Sequence, residues 1–262
     1  MTSSAEPLLQ TQGLSKRFGG LIALDSVDLA MQSGEIFGLI GPNGAGKTTL
    51  FNCLTGLYSA SAGSVKFKGR ELRGLKPHEV TRLGLARTFQ NIRLFAQMTV
   101  IENILVGCHG QSRAGLWGAI TRNRATRIEE ANLHQRAASL LQRVGLSAKA
   151  HSIAKHLAYG DQRRLEIARA LATQPSLLAL DEPAAGMNPN ERAALAQLLR
   201  DIRASGVSIV RIEHDVKWVM GLCDRILVLD YGKKIAEGIP EVVQRDPRVI
   251  EAYLGGSVGA TA

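Results

Sequence analysis

The most constraining part of the sequence is the glycine-rich segment from Gly41 to Thr49, which reads Gly-Pro-Asn-Gly-Ala-Gly-Lys-Thr-Thr. It fits the pattern G-x-x-x-x-G-K-[ST] of a phosphate-binding loop, a motif that lies between a strand and a helix. The apolar run Ile36–Ile40 predicts the strand, and residues 50–57 predict the helix. Glycines let successive backbone N–H groups point at one anion, and the positive end of the helix adds to the attraction. The motif therefore predicts a phosphate site in which Lys47 contacts the β and γ phosphates and Thr48 binds Mg²⁺.

Two adjacent carboxylates could complete such a site. Asp181 and Glu182 directly follow the apolar run Leu177–Leu180, and α/β sheets bind ligands at the carboxyl ends of their strands. We expect Asp181 to hold Mg²⁺ and Glu182 to act as the general base on the attacking water. His214 and Gln90 also follow predicted strands, and a histidine there could reach the γ-phosphate. For either residue taken alone, however, a structural role is the default interpretation.

The composition leaves the partner open. The chain of 262 residues has 32 basic and 23 acidic residues and a net charge of +9, which favours a polyanion such as nucleic acid, anionic lipid or a nucleotide. A solvated surface explains the charge equally well. The sequence has no zinc-ligand spacing and no nucleic-acid recognition motif, so we expect no nucleic acid partner.

Cysteine use and hydropathy indicate the compartment. The three cysteines are widely spaced in apolar surroundings and are predicted to be reduced core thiols: Cys53, Cys108 and Cys223. No apolar run approaches the ~20 residues that cross a bilayer. The first seven residues lack the apolar centre of a signal peptide, and we therefore expect a cytosolic protein.

The order of predicted elements indicates an α/β fold. Residues 8–29 alternate between apolar and polar and predict antiparallel strands, which residues 64–67 would join. Residues 85–89 predict a further strand, and the pattern after residue 158 alternates helices and strands, as in a parallel sheet. Residues 97–158 have helical spacing, with Thr99 and Glu102 placed as a capping box.

The helical region contains one segment of unusual composition. Residues 128–144 predict an amphipathic helix with one apolar stripe, made of Ala131, Leu133, Ala137, Leu140, Leu141 and Val144. Before this helix, residues 110–127 are rich in arginine and contain no acidic residue. This insert is either a solvated loop or a contact surface for a membrane or a partner protein.

Residues 157–171, Leu-Ala-Tyr-Gly-Asp-Gln-Arg-Arg-Leu-Glu-Ile-Ala-Arg-Ala-Leu, lie about twenty residues before the Asp181–Glu182 pair. This is the place of the signature sequence of ATP-binding subunits of ABC transporters, which the chain resembles from Leu8 to Leu254. The resemblance implies a P-loop NTPase fold with a RecA-like core, an N-terminal antiparallel β subdomain and an inserted helical subdomain. It would make the chain one ABC ATPase domain over residues 1–262. Its parts would be the β subdomain with the first part of the core (1–96), the helical subdomain (97–158), the second part of the core (159–240) and a helical tail (241–262).

The resemblance also implies roles for single residues. Phe18 would stack on the adenine of ATP. Residues 185–188 would form the loop that follows Glu182, the expected general base. The residues expected to bind ATP are Phe18, Asn43, Gly44, Ala45, Gly46, Lys47, Thr48, Thr49, Ala158, Tyr159, Gly160 and Asp161. Those expected to act in hydrolysis are Glu182, His214, Lys47 and Gln90, and those expected to hold Mg²⁺ are Thr48, Gln90 and Asp181.

The signature departs from the common Leu-Ser-Gly-Gly-Gln at Ala158, Tyr159 and Asp161, and Asn188 replaces the usual aspartate of the following loop. A weakened site is one interpretation. The other is that these residues, together with Ala-Arg-Thr-Phe-Gln at 86–90, are the working variant of the branched-chain amino acid importers, whose first ATPase subunit this chain resembles most.

That resemblance implies a set of partners. The signature segment would close over the ATP of a second, related ATPase in a heterodimer, or of a second copy in a homodimer in isolation. Two membrane permeases would hold the pair at the cytoplasmic face of the bacterial inner membrane, and a periplasmic amino-acid-binding protein would deliver the solute. The alternatives are the ATPase of a related ABC system for amide, urea or lipopolysaccharide transport, or an ABC protein outside transport.

Overall fold

A computed structural model describes residues 6–109 and 124–255 of the chain. The strands are β1 (Leu9–Phe18), β2 (Leu21–Met31), β3 (Ile36–Ile40), β4 (Ala62–Phe67), β5 (Arg70–Glu71), β6 (Leu85–Arg87), β7 (Leu177–Asp181), β8 (Ser208–Ile212), β9 (Arg225–Asp230) and β10 (Lys233–Gly238). The helices are α1 (Lys47–Leu54), α2 (Pro77–Arg82), α3 (Val100–His109), α4 (Arg124–Arg143), α5 (Tyr159–Leu171), α6 (Pro189–Ala204), α7 (Val216–Met220), α8 (Pro240–Val243) and α9 (Pro247–Gly255). Two short 3₁₀ turns, Ser147–Lys149 and Ala154–His156, connect α4 to α5.

The smaller sheet is antiparallel and has the strand order β2-β1-β4-β5. Strand β1 pairs with β2 from Leu9 opposite Met31 to Phe18 opposite Leu21, and on its other edge with β4. Buried and more exposed residues alternate along β2, as expected for a sheet with one face on the core. The predicted antiparallel strands of the N-terminal region are confirmed.

The larger sheet is parallel apart from its edge strand β10 and has the order β10-β9-β3-β8-β7-β6. All residues of β3, β7 and β8 are buried, because helices or the smaller sheet cover both faces. The chain leaves β3 towards α1 and returns to strands on both sides of it. The carboxyl ends of β3, β8, β7 and β6 therefore lie side by side at one edge, where such sheets bind ligands.

Helices α3, α4 and α5 pack against one another beside the larger sheet. Helix α3 begins with the predicted capping box, since the Thr99 backbone N–H donates to Glu102 Oε2 at 2.7 Å and the Glu102 N–H donates to Thr99 Oγ1 at 3.3 Å. In α4, Ala137 and Leu141 of the predicted stripe are buried, but Ala131 is exposed. Including Ala131 in the stripe was therefore wrong. Residues 128–132 of α4 are exposed or only partly buried, and the small side chain of an alanine there does not indicate which face of the helix is packed.

Two predicted boundaries were also wrong. The strand predicted to reach residue 89 ends at Arg87, because only residues 85–87 pair with β7, and the carbonyl oxygens of Phe89 and Gln90 accept hydrogen bonds from Arg163 instead. Helix α1 begins at Lys47 and ends at Leu54, whereas the predicted helix begins at residue 50 and ends at residue 57. Both ends therefore lie three residues earlier than predicted. Gly56, at φ 74°, turns the chain there.

Most of the predicted basic insert, residues 110–123, lies outside the described residues. The subdomain boundaries at residues 96, 158 and 240 remain predictions. Among residues 6–109 and 124–255, no helix combines the length and the apolarity that crossing a bilayer requires.

Candidate nucleotide site

The loop between β3 and α1 has a shape that requires glycine at two positions. A Cβ atom on Gly41 would lie 2.1 Å from the Leu229 carbonyl oxygen. Gly46 is the N-cap of α1 in a left-handed conformation, at φ 95°, and a Cβ there would lie 2.6 Å from the Ala23 carbonyl oxygen. Any side chain would displace β2 or β9. The two glycines thus let the loop pack closely on both neighbouring strands. Loops of this shape bind anions through those backbone N–H groups that have no partner in the protein.

Lys47 lies inside this loop. Its side chain is buried, and its ammonium group donates to the carbonyl oxygens of Gly41 and Pro42, both at 2.7 Å. Burial lowers the pKa of Lys47, and the charge of Glu182 partly opposes the shift. The amine is therefore fixed at the inner surface of the loop, close to the predicted base.

A cavity of about 610 Å³ opens above the loop. It is lined by nine of the residues predicted at the site, namely Phe18, Asn43, Gly44, Ala45, Gly46, Lys47, Thr48, Thr49 and His214. Phe18 is 43% exposed, its ring meets Tyr58 edge-on at 5.5 Å between centroids, and the Lys16 ammonium lies 5.0 Å from the ring centroid. An exposed aromatic ring can stack on a flat base. Tyr231, which we did not predict, also lines the cavity. A size of several hundred cubic ångströms, an exposed aromatic ring at one end and a glycine loop with a buried lysine at the other fit a nucleoside triphosphate.

Asp181 ends β7 and is held by an arginine of the neighbouring strand. Arg87 Nη2 lies 3.0 Å from Asp181 Oδ2, and both side chains are at most 10% exposed. The same guanidinium donates at 2.7 Å to Asn52 Oδ1 and at 2.7 Å to Thr55 Oγ1 at the end of α1. Burial raises the pKa of the Asp181 carboxyl, and Arg87 opposes that shift. Arg87 thus fixes the Asp181 carboxylate relative to the helix that follows the glycine loop.

Glu182, one residue further, meets both other polar residues that sequence analysis placed at strand ends. Its Oε2 accepts a hydrogen bond from Gln90 Nε2 at 3.0 Å, and its Oε1 lies 2.5 Å from His214 Nε2. The backbone of Glu182 is left-handed, at φ 45°, a conformation that residues with a Cβ adopt at a cost of about 1–2 kcal/mol. Strain of this kind often accompanies functional sites. The three side chains come from the ends of three different strands and converge on one point.

The signature residues Ala158, Tyr159, Gly160 and Asp161 form the first turn of α5 and do not line the cavity. Ala158 and Tyr159 are exposed, whereas Asp161 is buried and forms ion pairs with Lys149 and Arg164. Burial disfavours its charge, but those two cations hold the pKa of Asp161 below its ordinary value. The Asp161 carboxylate therefore stabilises the turn internally, and what the turn offers to an anion is its backbone N–H groups.

Three residues of this region were not predicted from the sequence, namely Arg87, Arg211 and Glu213. Arg87 and Arg211 lie in strands that are otherwise largely apolar. A charged residue inside such a strand needs a buried partner, and that is the signal that could have identified them.

Comparisons with known proteins agree with this geometry. A family model described as "ABC transporter" matches residues 24–185, and one described as "Branched-chain amino acid ATP-binding cassette transporter" matches residues 233–258. The high-affinity branched-chain amino acid transport ATP-binding protein LivG of Salmonella typhimurium is 50% identical over 96% of this chain and 99% of its own length. The corresponding protein BraF of Pseudomonas aeruginosa is 45% identical over the same shares. A solved ATP-binding cassette of an ABC transporter, in its ADP conformation, is 32% identical and superposes with a TM-score of 0.82, over 96% of this chain and 100% of that one.

Proposed function

Because the chain belongs to the ABC transporter family of ATP-binding proteins, we propose that it is the subunit whose ATP hydrolysis drives uptake of branched-chain amino acids. The choice of branched-chain amino acids as the solute rests on sequence similarity. The likeness to branched-chain amino acid transport proteins extends over 96% of the chain at 50% identity, and the C-terminal residues 233–258 match a model of that branch. The lipopolysaccharide export system ATP-binding protein LptB of Acidithiobacillus ferridurans is 34% identical over 95% of the chain, which gives the lipopolysaccharide alternative weaker support.

In this proposal, ATP lies in the cavity above the glycine loop. Phe18 supports the base, the N–H groups of the loop and of the first turn of α1 bind the phosphates, and Lys47 exchanges its loop carbonyls for phosphate oxygens. Thr48, Asp181 and Gln90 would hold Mg²⁺, which when bound neutralises charge on the β and γ phosphates. The residues fit that ion, because a threonine hydroxyl, a carboxylate and an amide all offer the oxygen ligands that Mg²⁺ prefers.

Glu182 is the proposed general base. Both of its oxygens have partners, Gln90 and His214, so the carboxylate is oriented before a substrate arrives. To take a proton from water, one oxygen must exchange its partner for that water. Gln90 is exposed at the end of its segment and can turn away. His214, which also lines the cavity, then keeps the carboxylate in place and lies close to where the γ-phosphate would be.

The signature turn at the start of α5 is the proposed contact with a partner subunit. Since Ala158–Asp161 do not line the cavity of their own chain, we propose that they complete the site of a second ATPase subunit, either a related chain or another copy. Two permease subunits would receive the resulting movement at the inner membrane surface, and a periplasmic binding protein would select the amino acid.

Replacing Glu182 by glutamine tests the catalytic part. The substitution Glu182→Gln keeps the shape and removes the base, so turnover should fall by about 10²-fold or more while ATP affinity is retained. ATP should then accumulate in a closed dimer, which light scattering with and without ATP would detect. The matched control is Glu241→Gln, which changes an exposed carboxylate in the first turn of α8 and should hydrolyse ATP normally. Undiminished hydrolysis by Glu182→Gln would remove Glu182 as the base.

The transport part has a separate test. Cells lacking this protein should lose high-affinity uptake of labelled leucine, isoleucine and valine. The unaltered chain should restore uptake and Glu182→Gln should not. Unchanged uptake of all three amino acids in the deletion strain would contradict the proposed solute while leaving the ATPase assignment intact.

A further inference from the structure

The left-handed backbone at Glu182 is held in place from strand β8. The Glu182 N–H donates to the Ile212 carbonyl oxygen at 3.2 Å, and the N–H of Ala184 donates to Glu213 Oε1 at 3.3 Å. A residue with a Cβ keeps such a conformation only when its surroundings enforce it. One contact is made by the strained residue itself and the other two residues later, and their partners are the last residue of β8 and the residue that follows it.

Glu213 is an unusual residue to accept the Ala184 N–H, because its side chain is only 6% exposed and burying a carboxylate is costly. Its carboxylate lies 3.0 Å from Arg211 Nη2, and Ala184 provides the one backbone N–H that donates to it among the described residues. Burial raises the pKa of Glu213, and Arg211 and the Ala184 N–H oppose that shift. The carboxylate is thus a buried acceptor whose charge depends on one cation.

Arg211 is fully buried and is covered by an aromatic ring. The centre of its guanidinium lies 3.6 Å from the centroid of the Trp218 ring on α7. Within the described residues, none of its three side-chain nitrogen atoms has a hydrogen-bond partner, so its contact with Glu213 is that of an ion pair. A buried ion pair with unsatisfied donors seldom adds stability compared with apolar side chains of similar size. A contribution to stability therefore does not explain why this pair lies in the middle of the sheet.

We propose that Glu213 and Arg211 are positioning residues for the base. Glu213 holds the Ala184 N–H and thereby the backbone turn that places Glu182 against His214, while Arg211, covered by Trp218, holds Glu213. This inference rests on the proposed role of Glu182. Neither Arg211 nor Glu213 lines the nucleotide cavity, so the pair acts on turnover and not on ATP binding.

Two double variants that differ in one property test this. Arg211→Leu with Glu213→Leu removes both charges and the acceptor for the Ala184 N–H. Arg211→Leu with Glu213→Gln also removes both charges but keeps an acceptor oxygen. We expect the first variant to lose about tenfold in kcat at an unchanged KM for ATP, the rate effect of about 1.4 kcal/mol. The second should recover at least half of the loss on a logarithmic scale.

The control is Arg143→Leu, which removes an arginine that ties α4 to Asp201 and Ser205 far from the base, and it should leave kcat unchanged. Equal kcat values for the two double variants would overturn the proposal, as would a rise in KM that accounts for the loss. Glu182→Gln in the same assay tests the role of Glu182 as the base separately from the positioning role of Arg211 and Glu213. If that variant is active, the assigned base is wrong. If it is inactive while the leucine double variant is fully active, only the positioning role is wrong.

Hydrogen exchange of the unaltered protein gives a test that does not depend on how the variants fold. The Ala184 amide should exchange at least about a hundredfold more slowly than the amide of Gly186, two residues further in the same loop and exposed. Comparable exchange rates at the two amides would overturn the proposal.

Discussion

Arg87 provides the sharpest prediction about how the site is built. The substitution Arg87→Met removes a guanidinium that contacts Asp181 at 3.0 Å, Asn52 at 2.7 Å and Thr55 at 2.7 Å. The Arg87 and Asp181 side chains are only 10% and 7% exposed. Removing one partner of such a buried pair costs about 3–5 kcal/mol, because the other charge stays buried without compensation. For a chain of this size, that corresponds to a fall in Tm of roughly 6–20 °C.

Thermal or urea unfolding followed by circular dichroism would measure the loss. A matched control is Lys233→Met, whose partner Asp25 lies at 3.3 Å and whose side chains are 65% and 46% exposed, so its loss should stay below about 1 kcal/mol. Arg87→Lys should recover less than half of the stability, because one ammonium group cannot reproduce the planar fork of donors.

The functional consequence is separable from stability. With Asp181 no longer fixed, the Mg²⁺ concentration for half-maximal ATP hydrolysis should rise several-fold at a temperature where the variant is folded. If Arg87→Met loses no more stability than Lys233→Met, the energetic reasoning about the buried pair is refuted. An unchanged Mg²⁺ requirement would show that Arg87 does not position a metal ligand.

Three further predictions concern single groups. Lys47→Ala should weaken ATP binding by roughly 10–100-fold, the value of a charge-assisted contact, and abolish hydrolysis; normal turnover in a phosphate-release assay would refute the assignment of the loop. Phe18→Ala should raise the Kd for ATP about tenfold by loss of stacking and leave kcat at saturating ATP unchanged, and an unaltered Kd by calorimetry would exclude Phe18 from the base site. The three buried thiols should resist alkylation at pH 8 in the native protein. Burial raises the pKa of Cys53 to about 11 and the pKa of Cys223 to about 12, and it also raises the pKa of Cys108. Rapid modification of any of them would contradict their placement in the core.

The parts of the fold that could be predicted from the sequence are those that local patterns determine. The buried strands β3 and β7 follow from short apolar runs, and the start of α3 follows from the spacing of Thr99 and Glu102. The end of β6 could not be predicted in this way. Residues 88 and 89 look like a continuing strand, but Arg163, more than seventy positions further along the chain, takes the Phe89 carbonyl oxygen at 2.7 Å. Such competition between distant groups leaves no trace in the local pattern.

The candidate site shows the same division. The glycine loop is contiguous, so one motif predicts its residues, and nine predicted residues line a single cavity. Gln90, Glu182 and His214 meet because their strands lie close together in the sheet. The sequence does not give the strand order, and it indicates only that residues at strand ends can contact a ligand. The supporting cations Arg87 and Arg211 were missed, since pairing them with Asp181 and Glu213 requires the three-dimensional arrangement.

The two adjacent carboxylates at the end of β7 have different surroundings, and this difference supports their different proposed roles. Asp181 has a guanidinium at 3.0 Å, a permanent charge that favours the ionised carboxylate and so favours a metal ligand. Glu182 has instead an amide from Gln90 and a ring nitrogen from His214, and neither partner carries a permanent charge. Partners of this kind can be exchanged for a water molecule, which is the contact that a general base needs. The fold thus gives one acid a cation from β6 and places its neighbour against His214, which lines the nucleotide cavity.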